Sequence, residues 1–156
     1  MEENMENGNT LVAYFSRSGE NYKVGVVEKG SAKILASYAS KMLGAPEYEI
    51  ATVDGYPEDL LECNKLARKE LDENARPALK NMLPDMSSIK NIVLVYPNWW
   101  GDLPMAVYSF LDKINTDGIT IYPVCTHEDN GLGMTERMLS QAYPKASVQK
   151  GVAIRG

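Results

Sequence analysis

A chain of 156 residues suits one domain, with a core large enough to need no staple. Its hydrophobic content of 44% and charged content of 24% are those of an ordinary globular protein. No apolar run approaches the ~18 residues of a membrane span, so an integral membrane protein is not expected. The net charge of −5 argues against nucleic acid and favours basic partners. The two cysteines, Cys63 and Cys125, stand far apart. They support neither a disulfide framework nor a cysteine zinc site, and a reducing cytoplasm fits.

Residues 1–9 are acidic and polar and lack the basic start and apolar middle of a signal peptide. They read as a disordered tail ahead of a single domain, 10–156. Leu11 to Phe15 is a continuous apolar run, as in a strand covered on both faces, and it stops at Ser16, Arg17, Ser18, Gly19. A helix is predicted from Ser31 as N-cap to Gly44 as stop, with Ile34, Leu35, Tyr38, Ala39, Met42 and Leu43 inward. Glu47 to Thr52 alternates as a short strand, and Pro57 opens a charged helix with Leu60, Ala67 and Leu71 inward. Asn91 to Tyr96 is the third strand. Pro104 starts a helix whose Val107, Phe110, Leu111 and Ile114 fall at i, i+3, i+4, i+7. Ile119 to Cys125 is the fourth strand, Leu132 to Ala142 a helix with Met138 and Leu139 inward, and Val148 to Ile154 the fifth strand.

Strands alternating with helices predict a parallel, doubly wound α/β sheet, which binds ligands outside the carboxyl ends of its strands. Three loops emerge there. Residues 16–31 offer hydroxyls and a helix N-terminus, which attract an anion such as phosphate. Pro97 to Gly101 places both tryptophans, Trp99 and Trp100, after a strand end, where a flat ring could lie; covering a core edge is the plainer alternative. Thr126 to Gly133 offers polar groups and glycines. Together they describe a mononucleotide-like ligand. No Gly-x-Gly-x-x-Gly follows the first strand, and Gly25 to Ser31 nearly matches a triphosphate loop but lacks its lysine. A magnesium-dependent phospho-receiver needs acidic groups where this chain has Tyr14, Phe15 and Ser16.

These residues carry a family resemblance. The chain resembles the flavodoxins, more closely the bacterial flavodoxin-like group whose third loop reads Tyr-Pro-x-Trp-Trp-Gly, over Leu11 to Gly156. The resemblance rests on Tyr14 to Gly19, on Ala75-Arg76-Pro77, on Pro97 to Gly101, and on Cys125, Thr126, His127 with Gly131, Leu132, Gly133. It implies a five-stranded parallel sheet in the order 2-1-3-4-5, noncovalently bound FMN, and electron transfer through the isoalloxazine. By position, Ser16, Ser18 and the amides at Ser31 and Ala32 would hold the phosphate. Pro97, Asn98, Trp99, Trp100 and Gly101 would line the ring; Thr126, His127 and Asp129 would flank its other side, with Gly131 in the same loop.

Two departures stand out. The family's phosphate loop enters its helix at once, whereas Glu20 to Gly30 intervene here, and Ala32 stands where a hydroxyl is expected. The loss of one good hydrogen bond to a charged group costs roughly 1.5 to 3 kcal/mol. The family's last helix would follow Gly156, so one sheet face is expected to be partly bare and to be covered by a second subunit as a homodimer, or by the tail.

Single residues have two readings each. Arg17 either pairs with the phosphate or makes a surface salt bridge, and His127 either meets the ring edge or is a solvated loop histidine. Cys125 reads as a small core residue, Cys63 as structural, Arg76 as a loop anchor, and Glu70, Asp72, Glu73 as a solvated face that could dock a basic redox partner. Acidic surroundings and a ring pressed on tryptophan disfavour added negative charge and would lower the flavin potential. The expected function is therefore a cytoplasmic FMN electron carrier for protein partners. The alternatives are an FMN-dependent quinone or azo reductase using a nicotinamide donor, and an FMN-free binding module of the same fold.

Overall fold

The computed structural model describes residues 9–16, 19–21, 25–27, 31–57, 59–98, 102–127 and 135–155. Second from one edge of its main sheet is β1 (Thr10–Tyr14), every residue of which is buried. It pairs in parallel with β5 (Asn91–Pro97) on one side and β4 (Glu47–Glu49) on the other. β6 (Thr120–His127) extends the sheet beyond β5. The final position is filled by two short segments, β7 (Ser147–Val148) and β8 (Val152–Arg155), both parallel to β6. The order β4-β1-β5-β6-β7/β8 is the expected 2-1-3-4-5 sheet, with its last strand in two pieces.

Strand interiors are continuous apolar runs because helices pack on both faces. On one face Leu11, Ala13, Ile92, Leu94, Tyr96 and Ile121 meet α3 (Met105–Lys113) and Leu139 of α4 (Thr135–Ala142), with Leu71 of α2 (Leu60–Glu73) packed against them. Seven consecutive residues of α3, Met105 to Leu111, are buried. On the other face Val12, Tyr14, Val93 and Val95 meet α1 (Ser31–Leu43). Gly44 follows α1 at φ 62, the left-handed conformation that ends a helix and that glycine adopts without strain.

Several boundaries differ from the sequence reading. In α1 the residues against the sheet are Ala32 and Ala36, with Leu35, Ala39 and Leu43 beside them. Ile34, Tyr38 and Met42, expected inward, are exposed. Small side chains let the helix sit close on the sheet and leave the large ones at its flank. The second strand stops at Glu49; Thr52 instead bridges antiparallel to Leu79. α2 begins at Leu60 rather than Pro57, because the Asp59 carboxylate caps it by accepting the Glu62 N–H at 2.9 Å. It ends at Asn74, in the left-handed conformation (φ 50, ψ 48). A hairpin, β2 (Gly19–Asn21) with β3 (Gly25–Val27), occupies part of the stretch read as loop between β1 and α1. Asn9, read as tail, accepts the Lys90 N–H at 2.8 Å through its carbonyl. No helix among the described residues is long and apolar enough to cross a membrane.

Candidate functional site

From β1 the chain crosses to the edge strand β4 and then returns to β5 on the other side, so the sheet reverses direction between β1 and β5. In a doubly wound sheet that reversal opens a crevice at the carboxyl ends of the two strands. Phe15 and Ser16 leave β1 there, and the Phe15 N–H donates to the Val95 carbonyl at 2.9 Å, holding the start of the first loop against β5. Tyr56 steadies the same corner. Its ring meets Phe15 edge-on at 5.5 Å, and its hydroxyl donates to Glu70 of α2 at 2.6 Å. Burial, more than the opposing Tyr56 bond, lifts the Glu70 carboxyl above the usual range. Glu70 is thus a tie to Tyr56 rather than part of a solvated face, and Asp72 pairs with Arg68 at 3.2 Å.

The second and third loops begin later than their sequence suggests. Pro97 and Thr126 are registered partners, the Asn98 N–H donates to the Thr126 carbonyl at 2.9 Å, and His127 is the last residue of β6. Pro97, Thr126 and His127 therefore stand on strands, not in loops. Proline lacks the N–H but not the carbonyl, so a strand can finish on it with its partner still in register. The ladder holds the roots of these two loops side by side, next to Ser16.

At the same edge α1 begins. Its C-terminal end returns to β4 at the amino edge, where the Pro46 carbonyl accepts the Val12 N–H at 2.9 Å. Its N-terminus therefore lies toward the carboxyl edge, where the unsatisfied amides of a first turn favour an anion. That first turn carries no acidic residue. Ser16 contributes an observation of another kind: its Oγ is buried and has no hydrogen-bond partner among the described residues. A buried hydroxyl without a partner costs about 1–3 kcal/mol, and an oxyanion at this corner would accept its proton. Ala32 supplies only its amide, since its side chain packs in the core with Val12 and Tyr14.

Of the residues singled out from the sequence, Ser16, Ala32, Pro97, Asn98 and Thr126 come together at this edge, with Ser31 and His127 placed there by their backbone. Arg17, Ser18, Trp99, Trp100, Gly101, Asp129 and Gly131 lie outside the described residues. Cys125 is fully buried and burial pushes its thiol up to about 12, which suits a core residue and not a nucleophile. No group of three metal-ligating side chains occurs among the described residues.

The sequence reading passed over the support beneath these loops. Asp102, immediately after the Trp-Trp-Gly segment, is 5% exposed, and its Oδ1 accepts the Leu103 N–H at 2.7 Å and the Tyr108 hydroxyl at 2.8 Å. Burial, and then the Asp102 bond, hold the Tyr108 phenol far above its ordinary range. The Arg76 guanidinium lies 5.0 Å over the Tyr108 ring and pairs with Asp112 at 2.7 Å. Asp112 also accepts the Tyr143 hydroxyl at 2.6 Å. Arg76 is thus the anchor expected of it, joining α2, α3 and the end of α4. Tyr96 donates to Thr135 at 2.9 Å, tying β5 to the first turn of α4 across the fully buried interior. An aspartate inside the otherwise apolar stretch Trp99 to Val107 was the available signal for this network.

A family model described as flavodoxin matches residues 9–156. The chain belongs to the flavodoxin family. Solved structures share the fold: a protein of Bacteroides eggerthii DSM 20697 described as a flavoprotein superposes with a TM-score of 0.79 at 23% identity, over 94% of this chain and 88% of its own. One from Bacteroides uniformis ATCC 8492, described likewise, gives 0.78 at 24% identity over 97% and 92%. A flavoprotein of Lactobacillus acidophilus NCFM, solved in complex with FMN, gives 0.75 at 18% identity over 95% and 93%. No curated protein matches. The crevice between β1 and β5 is where the flavodoxin strand order reverses, and the site described above is built around it.

Proposed function

We propose that this flavodoxin-family chain binds FMN at the carboxyl edge of β1, β5 and β6 and carries electrons between protein partners. The observation that carries the reading is the buried Ser16 Oγ at the edge where α1 begins, a donor with no acceptor among the described residues. The ring would lie against the segment that follows Asn98, and the Asp102–Tyr108 pair would hold that segment's exit in one place. Thr126, held by its pairing with β5, and His127, held by its pairing with β8, would bound the other side. When bound, FMN supplies reversible one- and two-electron chemistry, and the protein's share is position and potential. Ser16 and the α1 amides would hold the phosphate; the buried strand ends would keep water from one side of the ring.

The net charge of −5 supports electrostatic steering toward basic partners. With the FMN-loaded protein, electron transfer to a basic protein acceptor is therefore expected to be fast and to slow steeply with added salt. Turnover of a nicotinamide donor with small quinones is expected to be slow, since no dinucleotide fingerprint is present. Rapid, saturable, salt-insensitive quinone reduction would replace the carrier with a reductase. Failure to retain FMN at all would leave a cofactor-free binding module.

A further inference from the structure

The turn that ends α2 carries two side chains that reach different parts of the site. Glu70, in the last turn of the helix, accepts the Tyr56 hydroxyl at 2.6 Å, and the Tyr56 ring meets Phe15 edge-on. Phe15 is buried and immediately precedes Ser16. Beyond Glu70 the Arg76 guanidinium lies over the Tyr108 ring, and the Tyr108 hydroxyl donates to Asp102, the residue that follows Trp-Trp-Gly. One arm therefore reaches the corner read as the oxyanion seat. The other reaches the support of the segment read as the neighbour of a flat ring.

The chain between the two arms is fixed by its own hydrogen bonds. Asn74 takes the left-handed conformation, its N–H donates to the Leu71 carbonyl at 3.1 Å, and the Ala75 N–H donates to the Glu70 carbonyl at 2.9 Å. The Arg76 guanidinium is turned back on the same corner. Its Nη1 donates to the Asn74 carbonyl at 3.2 Å, to Asn74 Oδ1 at 3.0 Å and to the Ala75 carbonyl at 3.0 Å, while Nε pairs with Asp112 at 2.7 Å. A planar fork with acceptors on two sides is held in one orientation. Past Arg76 the chain is tied to the stretch that leads to Tyr56: the Val53 N–H donates to the Ala78 carbonyl at 2.9 Å, and Thr52 bridges to Leu79. These contacts close on themselves, and a closed chain of packed and hydrogen-bonded groups transmits a displacement from one arm to the other.

We infer that this turn, Glu70 to Arg76, couples the two halves of the site, so that an oxyanion at the Ser16 corner and a flat ring beside the segment entering Asp102 strengthen each other's binding. The inference rests on the FMN reading, and it makes Glu70 and Arg76 positioning residues, which act through Tyr56 and Tyr108. An oxyanion that accepts from Ser16 fixes Phe15 beside it, and Phe15 in turn holds Tyr56, Glu70 and the turn. A turn already held leaves less freedom to be lost when a ring binds on the Asp102 side, so the second ligand costs less to order. Linkage makes the effect reciprocal and of equal size from either side.

Riboflavin and inorganic phosphate carry the ring and the oxyanion on separate molecules, so their binding to the FMN-free chain tests the coupling without any redox step. Riboflavin affinity, read by quenching of its fluorescence, should rise about 5-fold or more in saturating phosphate, against chloride of matched ionic strength. Glu70→Leu and Arg76→Leu should each bring that factor to one. Glu70→Gln, which keeps an acceptor for the Tyr56 hydroxyl, should retain it. So should Arg68→Ala, an exposed position on the same helix whose guanidinium pairs with Asp72. If circular dichroism shows that Glu70→Leu does not fold, Tyr56→Phe takes its place, since it keeps the ring on Phe15 and removes only the hydroxyl. Riboflavin that binds no better with phosphate than without, or a factor unchanged in the Glu70 and Arg76 variants, overturns the coupling; FMN binding by the parent in that case leaves the FMN reading standing. A chain that binds neither FMN nor riboflavin overturns both.

Discussion

Ser16→Ala separates the cost of an unfilled site from its use. Ser16 Oγ is buried with no acceptor for its proton among the described residues, a state that costs about 1–3 kcal/mol relative to a hydrated hydroxyl. Removing the oxygen leaves the backbone and the Phe15–Val95 hydrogen bond in place, so the FMN-free variant should be more stable than the parent by up to about 2 kcal/mol. FMN binding should move the other way. A hydroxyl donating to a phosphate oxygen is a charge-assisted bond of about 1.5–3 kcal/mol, so affinity should fall roughly 10- to 150-fold. Ligand linkage then predicts that the stability order reverses or levels at saturating FMN. Urea unfolding with and without FMN, together with quenching of flavin fluorescence on titration, reads both effects. A variant that is destabilised without FMN, as if a made hydrogen bond had been lost, or one with unchanged FMN affinity, would refute the role given to Ser16.

Three further outcomes are expected. Trp99→Ala or Trp100→Ala should weaken FMN binding by about 1–3 kcal/mol, the worth of a stacked aromatic and its burial, and parent-like affinity in both would make the pair structural cover. Asp102→Ala should lower stability by about 2–5 kcal/mol, because Leu103 N–H and the Tyr108 hydroxyl lose a buried acceptor, while Asp102→Asn, which keeps one, should cost clearly less; equal losses in denaturant unfolding would show that charge and not acceptance matters. Burial raises Cys125 from 9.0 to about 12 and Tyr14 from 10.0 to about 12, so the unfolded chain releases these protons first and stability, full below pH 9.0, should fall as pH rises toward 12; Cys125→Ala should flatten the first part of that fall, and an unchanged slope would contradict it.

The parts of the fold legible in the sequence were those governed by burial on both sides. The runs at Leu11, Ile92 and Ile121 have no polar alternative and could only be interior strands. α3 was equally plain, because its apolar spacing is uninterrupted. α1 was not, since hydropathy ranks Ile34 and Met42 above Ala32 and Ala36, while packing on a flat sheet selects for small size. The start of α2 was readable in hindsight from Asp59 with Glu62 three residues on, a capping pattern that outweighs Pro57. The β2–β3 hairpin carries little alternation in its three-residue strands and is fixed by pairing rather than by propensity. At the site, the sequence named the loops but not their supports. Asp102, Tyr108 and Thr135 act through contacts six to dozens of residues distant, and no local pattern announces those partners.

The account stands most directly on one binding measurement. Calorimetric titration of the FMN-free chain with FMN, followed by gel filtration, should give a single site per chain and a flavin absorption band that co-elutes with the protein. Absence of binding heat together with a colourless protein peak would contradict it.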